Sequence, residues 1–254
     1  MSFWGFIGIL LLLAIMASAL LVAKYAAQKE AEFRELKFKA RQTHLTIVDL
    51  DEICRTLLLY DKDIQLLDYF IKEMRSLIDR ALELMPDSES IRGDVLNVRS
   101  LEQEVDVLRN STSEPEIPVS DQQINLMKKH FLRAQKAIKR LAGAGRMPSN
   151  RASEQYNRLV QSALLLEVKA YRKQGNIAKN EGDTSSAANF FKHAKELLMK
   201  SELNFEGKSE LIKKTSNDLS GLYVTNEDEE NDDETEATSE AEEVEVKEDS
   251  QQAG

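Results

Sequence analysis

Three features of the 254-residue sequence predict an all-α fold. Between Ile9 and Ala142 there is a single glycine, Gly93. The four prolines, Pro86, Pro115, Pro118 and Pro148, fall where apolar periodicity stops, as they do at helix boundaries. No stretch alternates apolar and polar residues between turn dipeptides, so no strand is expected. Hydrophobic residues make up 42%, enough for a core.

Residues 3–23 carry no charged side chain, and Ser18 is their one polar residue. As a helix they span about 31 Å, roughly the hydrocarbon thickness of a bilayer. Trp4 and Tyr25 flank the run as interfacial aromatics. A cleaved signal peptide fits less well, because no Lys or Arg precedes the run and it continues past Ala17-Ser18-Ala19. Residues 1–23 are therefore expected to form a transmembrane helix. Lys24, Lys29, Arg34, Lys37, Lys39 and Arg41 follow it, which predicts an outside amino terminus and a cytoplasmic body at the cell (inner) membrane. Ala14 and Ser18 have the small-xxx-small spacing that seats a second helix, so a homodimer is one expected partner arrangement.

Residues 24–223 read as one helical bundle domain. The first helix continues out of the membrane to about Tyr60, with Leu45, Val48, Ile53, Leu57 and Tyr60 on its later face. Asp61-Lys62-Asp63 caps a second helix whose Ile64, Leu67, Ile71, Met74, Ile78, Ala81 and Met85 recur at steps of three and four. Ser88 opens a third, with Ile91, Val95, Val98, Leu101, Val105 and Leu108 on one stripe. A loop rich in Ser, Thr, Glu and Pro covers 110–119, after which Ser120 and Gln123 form a capping box. Ile124, Met127, Phe131, Ala134, Ile138 and Leu141 then repeat at the heptad spacing of an antiparallel bundle seam.

The stretch 168–200 carries the most specific pattern. Tyr171, Gly175, Ala178, Gly182, Ala187, Phe191 and Ala194 place small residues where two helices touch, a glycine at the turn, and an Ala-aromatic-Ala stripe beyond it. This pattern resembles one tetratricopeptide repeat. It departs from the family at Gln174, where an apolar residue is usual, and at Met199, where the closing proline belongs. No second copy is in register. A single unit cannot bury its own face, so the hairpin must stack on the preceding helices or on a helix over 208–222. The resemblance implies an adaptor that holds a partner protein.

Charge is distributed unevenly. The net charge is −10, but residues 224–254 contain 14 acidic residues and one lysine. That tail is low in apolar residues and is expected to be disordered. In contrast, residues 128–158 hold nine basic side chains and one acid, Glu154. Lys129, Arg133, Lys136 and Arg140 fall on one side of the fourth helix. Such a face is a candidate partner-binding surface for nucleic acid, anionic lipid or an acidic protein segment.

Catalytic patterns are missing. His44, His130 and His193 are far apart, with charged neighbours that predict solvated positions. The 143–148 and 207–209 segments fail the dinucleotide and phosphate-loop patterns. Cys54 lies among apolar residues and reads as core. No enzyme, cofactor or metal site is expected. The function expected is a membrane-anchored scaffold or adaptor recruiting a protein partner through its helical domain. The alternative is a membrane tether for nucleic acid or another polyanion through residues 128–140.

Overall fold

A computed structural model describes residues 3–111 and 114–223; the acidic tail at 224–254 lies outside the described residues. Seven helices and no strand are present among them. They form two compact units, Met1–Glu114 and Pro115–Gly254, divided in the Pro-rich loop that the sequence marks. The reading of 24–223 as one body thus meets two units, each with its own set of helix contacts.

The first unit holds α1 (Phe3–Tyr60), α2 (Ile64–Leu84) and α3 (Glu89–Arg109), which touch pairwise. Helix α1 continues through the apolar run, but many side chains there lie outside the described residues. Among the described residues, no helix is long and apolar enough to cross a membrane. The transmembrane expectation for 1–23 is therefore not carried by the fold. From Lys24 to Lys39 the side chains of α1 are exposed, apart from half-buried Leu36. Burial begins at Ala40 and continues through Ile47, Leu50, Ile53, Cys54 and Leu57.

Of the residues expected on this face, Ile53 and Leu57 are buried and Tyr60 is half-buried, but Leu45 and Val48 are exposed. Residues 45–50 offer two overlapping apolar stripes, and the packing of α2 and α3 selects the one through Ile47 and Leu50. Burial pushes the Cys54 thiol far above its ordinary range, and Asp51 adds to the effect, so it stays protonated and packs as a small apolar group.

Helix α1 ends where Lys62 adopts a left-handed backbone, φ 58°, with Asp61 and Lys62 both donating to the Leu57 carbonyl. The Lys62 ammonium donates to the Glu114 carbonyl at 2.6 Å, tying this turn to the end of the unit. Asp63 caps α2 by accepting from the Leu66 amide at 2.9 Å. Ser88 precedes α3 but makes no side-chain cap bond; its hydroxyl meets Ser90 instead. On α2 and α3, Arg109 holds both oxygens of Asp68, and Arg75 pairs with Glu102. His44 of α1 meets the buried Asp94 of α3 at 2.7 Å, so this histidine is a half-buried interhelical partner, against the solvated position expected.

The second unit holds α4 (Asp121–Gly143), α5 (Ser149–Asn180), α6 (Thr184–Lys200) and α7 (Lys208–Ser220). Contacts run α4 to α5, α5 to α6 and α6 to α7. Half of the expected capping box is present: the Gln123 backbone amide donates to the Ser120 hydroxyl, while the Gln123 side-chain oxygen accepts from the Val119 amide in place of the Ser120 amide. The heptad positions Ile124, Met127, Phe131, Ala134, Ile138 and Leu141 are all buried. His130 is also buried, contrary to expectation, because it lies one residue from Phe131 on the packed face.

Leu50 is fully buried in the first unit. Leu50→Ala is expected to cost about 2–5 kcal/mol by leaving a cavity. Urea unfolding should show the loss, with amide exchange accelerated through α1–α3.

Candidate interaction surface on the second unit

The α5–α6 turn is built from local chemistry. Gly182 sits at φ 80°, where a side chain would be strained. Its amide donates to the Lys179 carbonyl, and the Asp183 amide donates to the Ala178 carbonyl, closing the end of α5. Asp183 then caps α6 by accepting from the Ser186 amide at 2.9 Å. The bonds from Ser186 hold the Asp183 carboxyl below its usual range.

Beyond the turn, the two helices close on one contact. A Cβ built on Gly175 would lie 2.8–3.0 Å from three carbons of the Phe191 ring. The ring is fully buried, with Ala178, Ala187 and Leu222 in the same cluster. It therefore cannot swing away cheaply, and α6 sits where only a glycine at 175 allows. Burying Phe191 contributes about 2–3 kcal/mol. The sequence pattern's other positions fall around this contact. Ala187 and Ala194 are fully buried on the same face of α6, and Ala194 packs with Val168 and Leu198. Tyr171 meets Phe190 at 6.4 Å and His193 edge-on at 4.4 Å. Burial raises the Tyr171 hydroxyl's pKa, with Asp121 and Glu167 adding to it.

Helix α7 covers the exposed side of the hairpin. Leu211 and Ile212 pack on the Val168–Ala194–Leu198 cluster, and Leu222 closes the Phe191 cluster. Arg172 of α5 reaches Asp218 of α7 through two nitrogens, at 2.6 and 3.1 Å, in a partly buried pair. Lys208 donates to the Ser201 and Leu203 carbonyls and holds the α6–α7 link. The two departures from the repeat pattern have local explanations. Gln174 donates to the Val119 carbonyl, fixing the start of α4 against α5, and Met199 is exposed at the end of α6. These ties from 172 and 174, and the packing of Phe205 on the Val168–Ala194–Leu198 cluster, carry no periodic signal in the sequence.

Between α5 and α7 lies an open cavity of about 320 Å³. Leu165, Phe205 and Leu211 supply its apolar lining, and Gln161, Glu206 and Lys214 its polar groups. The cavity is open to solvent and mixes apolar with polar groups.

The basic residues divide into two sets. Lys128 is bound to the buried Glu167 at 2.6 Å, Lys139 lies 4.5 Å over the Tyr156 ring, and Arg151 pairs with Glu154. These charges serve the fold. Lys129, Lys136 and Arg140 are exposed and unpaired among the described residues, while Arg133 is half-buried. The face expected from sequence thus presents fewer charges than counting suggests. Among the described residues, no group of three His, Cys, Asp or Glu side chains is placed to hold a metal ion.

Comparison with protein-family models, curated proteins and solved structures finds no match for this chain. The hairpin and the basic face therefore stand on their own geometry.

Gly175→Ala should reverse the usual gain of replacing a helical glycine. The added Cβ meets a ring that cannot retreat, so a loss of about 1–3 kcal/mol is expected in urea unfolding. Adding Phe191→Leu should return part of the loss in the double variant. A second expectation concerns acid. Because the folded Asp183 carboxyl is held low, its cap contributes above the ordinary carboxylate range and is lost as pH falls through the lowered value. Asp183→Asn keeps the acceptor and should flatten that part of the acid dependence of amide exchange in α6.

Proposed function

We propose that this protein is a membrane-anchored, non-enzymatic adaptor that recruits a protein partner through its second helical unit. The observation that carries the reading is the stacked α5–α6–α7 arrangement with an open cavity along α5 and α7. A helical hairpin packed on a neighbouring helix buries its small-residue face, and arrays of this kind present concave surfaces to ligands. Here Phe191 against Gly175 fixes the hairpin, and Leu165, Phe205 and Leu211 are the apolar groups that a partner would cover. The tetratricopeptide resemblance of 168–200 agrees in kind with such a role. Anchoring is supported by the charge-free run at 3–23, and a cytoplasmic side for the helical units by the basic residues that follow it.

Site-specific photocrosslinking tests the reading. A photoreactive residue at Gln161 of the full-length protein in cells should give a discrete protein adduct that survives nuclease. Leu165→Glu and Phe205→Glu should each remove it by placing charge in the apolar lining. An adduct that persists in both variants, or that vanishes with nuclease, would contradict the adaptor reading.

A further inference from the structure

The exposed cations of α4 lie away from the α5–α7 cavity's lining and form a second surface. At 100° per residue, Lys129, Arg133, Lys136 and Arg140 fall within about 60° of one another, and from Lys129 to Arg140 the helix rises about 17 Å. Leu132, on the same side of α4, is 52% exposed. With Lys128, Lys139 and Arg151 each already paired, the face offers three unpaired exposed charges over that length. A duplex presents a phosphate about every 1.7 Å of axis, far denser than this row. Sparse cations beside an exposed leucine suit a polypeptide whose carboxylates are separated by neutral and apolar residues.

Residues 236–246 of the same chain are such a segment, with Ala, Thr, Ser and Val between most of their carboxylates, and the nearly all-acidic 227–234 precedes them. Residues 224–254 carry 14 acids against one lysine, and near their end Glu243-Val244-Glu245-Val246 alternates charge with apolar side chains. Its point of departure is favourable. Leu222 is buried with Ala178, Ala187 and Phe191. Gln174, one turn before Ala178, is bonded to Val119 at the start of α4. The chain therefore leaves α7 at the end of the hairpin where α4 begins. From there Arg140 lies about 30 Å along α4. Thirty-one residues can span up to about 100 Å.

We propose that the acidic segment 224–254 docks on the α4 face formed by Lys129, Lys136 and Arg140, and so occludes it from other acidic ligands. Covalent attachment gives the segment an effective concentration in the ~mM range, so weak individual ion pairs suffice. An external acidic partner reaches the face only by displacing the chain's own tail, which makes the tail a built-in competitor.

The test compares the intact protein with a chain ending at Tyr223, using a labelled synthetic peptide of residues 224–254 and a 20-base-pair duplex as probes. At low ionic strength the truncated chain should bind the peptide at least about ten-fold more tightly than the intact chain does. K129E/K136E/R140E in the truncated chain should abolish that binding, and salt should weaken it. In the intact chain, zero-length amine–carboxyl crosslinking should join Lys129 or Lys136 to an acid within 227–249, in monomeric product. Equal peptide binding by the two chains, or binding that survives the triple reversal, would overturn the proposal. So would the absence of such crosslinks. Duplex binding by the truncated chain without peptide binding would also overturn it and assign the face to nucleic acid.

Discussion

The absence of a side chain at Gly175 is the constraint on which the second unit depends. The Phe191 ring occupies the space where a Cβ would sit, and this sets how closely α6 approaches α5. The consequences run outward. Phe191 gathers Ala178, Ala187 and Leu222, so the end of α7 is placed by the same ring. Once α7 is in position, Arg172 meets Asp218, and a groove opens toward Leu165 and Phe205. A larger residue at 175 would push α6 outward and disturb each of these in turn. Stability and the shape of the candidate interaction surface therefore share one origin.

Electrostatics divides the same unit by a different rule. Some of its charges have a nearby partner at the surface, as with Lys128 on Glu167 and Lys139 on the Tyr156 ring. Surface pairs of this kind contribute little individually. Their main effect here is to fix which cations remain outside. Lys129, Lys136 and Arg140 are left exposed on one face of α4.

Much of the fold was legible because helix periodicity is strong where only one stripe is apolar. The fourth helix shows this: its heptad from Ile124 to Leu141 is buried at every position read from the sequence. Helix α1 shows the opposite case. Leu45, Ile47, Val48 and Leu50 surround the helix, and tertiary packing decides between stripes that propensity cannot rank. Histidines were misread for a related reason. Charged neighbours in sequence point to other sides of a helix, so His130 can be buried beside Phe131, and His44 can meet Asp94 from fifty residues away. At the candidate site, the small-residue pattern located the α5–α6 hairpin. The ties through Arg172, Gln174 and Phe205 join residues far apart in the chain and leave no local trace. The division into two units was also hidden, although the loop that makes it was visible as a cluster of Ser, Thr, Glu and Pro.

The contact between Gly175 and the Phe191 ring is read directly by nuclear Overhauser spectroscopy. In protein labelled at glycine and phenylalanine, strong cross-peaks are expected between the Gly175 α-protons and the Phe191 ring protons, with the Gly175 α-proton shift changing on Phe191→Leu. If those cross-peaks are missing, and the Gly175 shift is indifferent to that substitution, the hairpin does not close on this contact and the account built on it fails.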